Sequence, residues 1–171
     1  MLVVFVAVAL TSRPPQVKTY GSYAVSIQWP GGPNDVDLYV RDPSRAICYF
    51  HDVQVDQMQL EHDDLGTPDG LRQGQTERGA DGAAEETPGQ YVVDTHLFTR
   101  GARTAPIPVS VQLWDLQGDD RLVKSRTVYV THTGDMRTRF RFTVDDAGAT
   151  NGFSYVPVNL MQTTTTSAGG A

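Results

Sequence analysis

The chain is short of the residues that most often announce a chemistry. Cys48 is the only cysteine among 171 residues, so neither an intrachain disulfide nor a cysteine-built zinc site can form. It lies in the apolar run Ala46-Ile47-Cys48-Tyr49-Phe50, where a small core residue is expected rather than a nucleophile. Basic residues are outnumbered, 14 Lys and Arg against 20 Asp and Glu, for a formal net charge of -6. A surface of that sign repels a phosphate backbone, and nucleic acid is not an expected partner. The one locally basic stretch, Met136 to Phe142, alternates Arg137, Arg139 and Arg141 with other residues. In a strand these arginines share one exposed face, with Phe140 and Phe142 on the other.

Catalytic signatures are missing too. There is no Gly-x-Ser-x-Gly nucleophile elbow and no glycine loop that cradles phosphate. His51, His62, His96 and His132 are scattered, with no metal-binding pair at helical spacing. His96 alternates with Thr95 and Leu97 in a strong strand, as a satisfied polar position does. Glu85 and Glu86 are adjacent in a loop and carry little information as a glycosidase pair. No enzyme is expected.

Nor is there a long hydrophobic run. Met1 to Leu10 is wholly apolar, but a helix that crosses a bilayer takes roughly 20 such residues. The basic start and small-residue cleavage site of a secretory signal are not clear, and Arg13-Pro14-Pro15 stops any helix. Three readings stand: the end of a membrane helix that begins upstream, a short anchor, or a segment buried against a partner. At the other end Met161 to Ala171 is low in complexity. The expected organisation is an apolar N-terminal segment and linker over 1–22, one domain over 23–160 and a tail over 161–171.

What the chain does have is turn formers, Gly 16 and Pro 10, between short alternating runs. Tyr23 to Trp29 alternates and stops at Pro30-Gly31-Gly32-Pro33-Asn34. Asp35 to Arg41 alternates again, with Val36, Leu38 and Val40 on one face, before Asp42-Pro43-Ser44 turns the chain into Ala46 to His51. Val53, Val55, Met58 and Leu60 supply a further strand. Glu61 to Glu86 is polar and reads as a long exposed excursion with one short strand near Gln73 to Arg78. Gln90–Phe98, Ile107–Leu116, Leu122–Thr131, Met136–Val144 and an apolar run, Phe153 to Val158, follow between turns.

Short strands at this spacing predict an all-β fold, an antiparallel two-sheet β-sandwich of jelly-roll or immunoglobulin-like kind. Its predicted core holds Trp29, Leu38, Val40, Phe50, Tyr91, Val93, Val109, Val111, Leu113, Val128, Val130, Phe140 and Phe142. Two stretches, Asp35-Val36-Asp37-Leu38-Tyr39-Val40-Arg41-Asp42-Pro43 and Pro88-Gly89-Gln90-Tyr91 through His96-Leu97-Phe98, resemble a loose class of bacterial and phage β-sandwich modules. These share a DxDLxVxDP hairpin and a later PGxYxVxxHxF/Y strand.

The first motif is similar to that of pre-peptidase C-terminal domains. Uncharacterised phage and bacterial proteins, in which the module follows one N-terminal membrane helix, also resemble this chain at Leu60 to Gly66 and Ile107 to Val111. The resemblance runs from Tyr23 to Val144 and departs at the N-terminus, where the apolar segment has half a membrane helix's length. It implies a fold and a non-enzymatic role, with no catalytic residues.

Asp35, Asp37 and Asp42 cluster around one hairpin and are the candidate metal ligands, since calcium takes several such oxygens. The competing reading has Asp35 capping the turn and Asp42 bonding its own backbone. Glu61, His62, Asp63, Asp64 and Asp69 form a second acidic group, read as a solvated loop. No cofactor other than calcium is suggested.

The leading expectation is a structural or interaction module, an accessory component of a phage virion or an envelope-associated assembly. It would meet protein partners through the N-terminal segment, the long loop and the tail. A membrane tether through Met1 to Leu10 is one alternative. Another is a carbohydrate- or ligand-binding sandwich using Trp114, Tyr39 and Tyr155, although Trp114 fits an interior position equally well.

Overall fold

A computed structural model describes residues 23–160, except for 57, 63–74, 82–86, 103–104 and 117–118. The strands are β1 (Tyr23–Trp29), β2 (Asp35–Arg41), β3 (Ile47–Cys48), β4 (Gln54–Val55), β5 (Met58–His62), β6 (Gln75–Asp81), β7 (Gly89–Thr99), β8 (Ile107–Asp115), β9 (Arg121–Val130), β10 (Met136–Val144) and β11 (Thr150–Ser154). They form a six-stranded sheet ordered β4-β5-β6-β1-β8-β9 and a five-stranded sheet ordered β11-β10-β7-β2-β3. Paired neighbours run antiparallel throughout. The chain is an all-β sandwich, and no helix among the described residues is long and apolar enough to cross a membrane.

Period-two patterning explains the layering, because alternate side chains of a strand share a face. In β8 Ile107, Val109, Val111 and Leu113 are buried while the residues between them are only half-buried. Facing them are Val36, Leu38 and Val40 of β2, Tyr91, Val93 and Leu97 of β7, and Phe140, Phe142 and Val144 of β10. Each large side chain so enclosed contributes roughly 1.5–3 kcal/mol relative to exposure. Every anticipated core residue belongs to this cluster, Phe50 as a half-buried neighbour of it. Cys48 is buried there as a small core residue.

Polar bonds tie the ends of the layers. Trp29 donates its indole N–H to the Asn34 carbonyl at 3.0 Å, and the Asn34 side chain accepts from Gly101 N–H. Tyr23 donates to the Gly148 carbonyl and accepts from Thr150. The β1–β2 turn and the β10–β11 turn are thereby fixed to their neighbours.

One expectation is met and one needs correction. The strand expected near Gln73–Arg78 inside the polar excursion is β6, which spans Gln75–Asp81 and lies between β1 and β5. Backbone pairing to a central strand can hold a segment whose composition looks like loop. The three β10 arginines do not share one exposed face. A bulge interrupts the register between Thr138 and Phe140, so Arg139 and Phe140 are buried in succession. Arg139 donates to Thr95 Oγ1, Arg137 is exposed, and Arg141 is half-buried.

The two stretches that carry the family resemblance meet physically. Gly89 opens β7 with φ of +136°, and a Cβ there would stand 2.7 Å from Pro43 Cβ. Gly89→Ala is therefore expected to cost about 2 kcal/mol or more, through backbone strain and this overlap. Urea denaturation checks it; a loss under about 0.5 kcal/mol would refute the close approach.

Candidate functional site

The five-stranded sheet has an outer face that the sequence marks as polar and the structure closes. Register lines up three rows across β2, β7 and β10: Asp37, His96 and Met136; then Tyr39, Asp94 and Thr138; then Arg41, Val92 and Arg141. Strand β2 is consequently buried on both faces along nearly its whole length.

The cover is the segment after β11. Val158 is held by one hydroxyl used twice: Thr138 Oγ1 donates to the Val158 carbonyl and accepts from the Val158 N–H, both at 2.9 Å. Two residues further, Leu160 is buried against Tyr39 and Val92, with Ile47, Tyr49, Phe50 and Met136 around them. Tyr39 stacks on Tyr49 at 4.9 Å between ring centroids. The apolar run Phe153 to Val158 begins in β11 and continues as a strap over a second small core.

Burial beneath the strap sorts the acidic groups by the donors each one finds. Asp37 Oδ2 lies 3.1 Å from His96 Nδ1. Asp135, in the β9–β10 turn, accepts from the Thr131 N–H and hydroxyl, and Arg137 Nε lies 2.8 Å from its other oxygen. Burial alone would raise the Asp135 pKa, but the Thr131 bonds and the charges of Arg137 and Arg139 hold it below the usual value. Asp94 is the contrast. It is 1% exposed, and burial pushes its carboxyl up from 3.8 to about 6 despite Thr138, Arg139 and Arg41 nearby. Among the described residues, Asp94 Oδ1 has no hydrogen-bond partner.

Beside the strap is a recess of about 530 Å³, lined by Asp94, His96, Met136, Arg137, Thr138 and Asn159 together with Gly134, Pro157 and Val158. That volume falls within the range of small-molecule sites, about 300–1,000 Å³. Charged, hydrogen-bonding and apolar groups converge there.

The candidate metal ligands do not assemble around one point. Asp35 is buried at the start of β2 opposite Thr99, and Asp37 is engaged by His96. Asp42 lies beyond the other end of β2, roughly 16 Å from Asp37 at about 3.3 Å per residue. There it accepts from the Ser44 hydroxyl and the Ala46 N–H, as a turn aspartate does. No group of three or more His, Cys, Asp or Glu side chains placed to hold a metal occurs among the described residues. Asp63, Asp64, Asp69, Glu85 and Glu86 lie outside the described residues, as do Met1 to Leu10 and the tail.

The three candidate ligand aromatics are likewise apart. Tyr39 is buried under the strap, Trp114 is half-buried and donates to Ser26, and Tyr155 is exposed beneath the Arg126 guanidinium at 4.4 Å. Asp94, Thr138 and Asn159 were not singled out from sequence. The available signal was Tyr39 and Val92, apolar positions on an outer face that called for a cover. No protein-family model matches the chain, nor does any curated protein or solved structure.

Two measurements test this arrangement. Thr138→Val leaves the Val158 peptide groups without partners and is expected to cost about 1–3 kcal/mol. Amide exchange at Val158 and Leu160 should accelerate, and unchanged exchange there would count against the clasp. Asp94 binds its proton more tightly in the folded protein than in the unfolded chain, so its ionisation lowers stability as pH rises through about 6. The displacement corresponds to roughly 3 kcal/mol at most. Asp94→Asn should thus stabilise the fold at about pH 7.5 and leave it nearly unchanged at about pH 4. Paired urea titrations read the difference, and equal effects at both pH values would rule the argument out.

Proposed function

We propose that the chain is a non-enzymatic interaction module that joins an assembly by accepting an extended segment of a partner protein along β9. The observation that carries this is the edge itself. Strand β9 is ten residues long and ends the six-stranded sheet, leaving one side of its backbone without a strand neighbour among the described residues. Unpaired N–H and C=O groups in such a row are a template for strand addition. Leu122 and Tyr129, 44% and 61% exposed, add apolar contact at its two ends.

Other features support a binding role over turnover. The hydroxyl lining the recess, on Thr138, is committed in both directions to Val158. His96 is turned toward Asp37, with Tyr39 and Phe98 edge-on to its ring. The resemblance of the Asp35–Pro43 hairpin to phage and bacterial modules supports placement in a virion or an envelope-associated assembly. The apolar N-terminal segment, the polar excursion and the tail would supply additional protein contacts there.

Site-specific photo-crosslinking of the full chain in its cell of origin tests the edge. Thr127→p-benzoylphenylalanine is expected to give one discrete protein adduct, mapped by mass spectrometry to a continuous stretch of the partner. The same probe at Asp146, exposed in the β10–β11 turn, should give none. Leu122→Lys with Tyr129→Lys should abolish the adduct while changing stability by only about 0.5 kcal/mol per site. Equal labelling at both positions, no adduct at Thr127, or an adduct indifferent to the lysines would overturn the reading.

A further inference from the structure

We infer that the recess beside the strap is a binding site for a small neutral polyhydroxylated ligand, a sugar or cyclic polyol, with Asp94 as its buried acceptor. The first observation is the cavity, whose size suits one small molecule. The second is the carboxylate that lines it: Asp94 is 1% exposed, and among the described residues its Oδ1 has no hydrogen-bond partner. A buried acceptor left unmade costs about 1–3 kcal/mol, more when charged. An incoming O–H relieves that cost and gains a charge-assisted bond.

The charges around the recess select against ionic ligands of either sign. A cation would meet Arg137 in the wall, and the charges of Arg139 and Arg41 also act at Asp94. An anion would meet Asp94 directly, with Asp37 beside His96 and Asp135 beside Arg137. A neutral molecule bearing both donors and acceptors incurs neither penalty. Asp94 accepts from it, Arg137 offers N–H groups, Asn159 adds a polar edge, and Met136, Pro157 and Val158 present apolar surface to its C–H face. Oδ1 is itself buried, so full engagement requires the wall of the recess to give slightly.

This site lies on the outer face of the five-stranded sheet and shares no residue with β9, so either proposal stands or fails alone. The test is amide NMR titration of the full chain at about pH 7.5 with D-glucose, D-galactose and myo-inositol, alongside D-glucosamine and D-glucuronate as charged counterparts. At least one neutral probe is expected to bind saturably, with shifts centred on Asp94, His96, Met136 and Asn159. Asp94→Asn should weaken it about tenfold, the loss of one charge-assisted bond. Asn159→Ala, at an exposed lining position, should weaken it several-fold and keeps the test open if the Asp94 variant misfolds. Three results would overturn the inference: no saturable shifts with any neutral probe, tighter binding of a charged counterpart, or shifts that ignore both substitutions.

Discussion

An irregular chain segment can close a sheet face only if its own peptide groups find partners, and here a single threonine hydroxyl supplies them. Thr138 Oγ1 meets both the N–H and the carbonyl of Val158, replacing the two bonds that a neighbouring strand would offer. With Val158 held, Leu160 is delivered onto Tyr39 and Val92, and Tyr49 stacks on Tyr39 from the β3 side. The sandwich gains a partial third layer at one face. Without it the outer side chains of β2 and β7 would be ordinary solvated positions, and none of the electrostatics described above would arise.

Closure turns solvent from a shared partner into an excluded one, so each carboxylate is decided by its local donors. Asp135 and Asp94 show how evenly matched the opposing effects are. Burial acts on both in the same direction. Asp135 receives two bonds from Thr131 and a guanidinium at 2.8 Å, and bonds to a charged group are worth about 1.5–3 kcal/mol each. These outweigh burial. Asp94 has Thr138 and two arginines acting on it but no donor on Oδ1 among the described residues, and burial wins. The sign of each shift follows from whether local donors and charges outweigh burial.

The inner half of the molecule was legible in the sequence because one physical rule, alternate side chains facing a dry interior, governs it. Val36, Leu38 and Val40, the β8 series, and Phe140 with Phe142 were all readable from period two alone. The same rule misplaced Arg139, since one extra residue at a bulge shifts the phase and period counting cannot see it. It also ended β6 short of Asp81, because backbone pairing leaves no mark on polar composition. For the candidate site, alternation put Asp37 on the face opposite Val36, where it meets His96, while Asp35 sits at a register shift. What it lacked was the cover, which arrives from residues 155–160, more than a hundred positions downstream of β2, and is recognisable only once Thr138 and Val158 are seen together. Asp42, grouped with the other two by sequence proximity, was separated from them by strand extension.

The charge of Asp94 offsets part of the buried Arg139 guanidinium, yet burial of the carboxylate outweighs that gain. An asparagine would occupy nearly the same volume and would carry no charge to strand beneath the strap, so on stability alone it is the better occupant above about pH 6. Three of the other buried acids differ in this respect: Asp42 organises a turn, Asp135 closes a hairpin, and Asp37 orients His96. A group that lowers the stability of its own fold and opens onto a cavity is the kind of local inconsistency that functional sites show and scaffolds do not. That asymmetry makes the recess, rather than the hairpin acids nearer the eye in the sequence, the place on this face where a ligand changes the energy of the protein most.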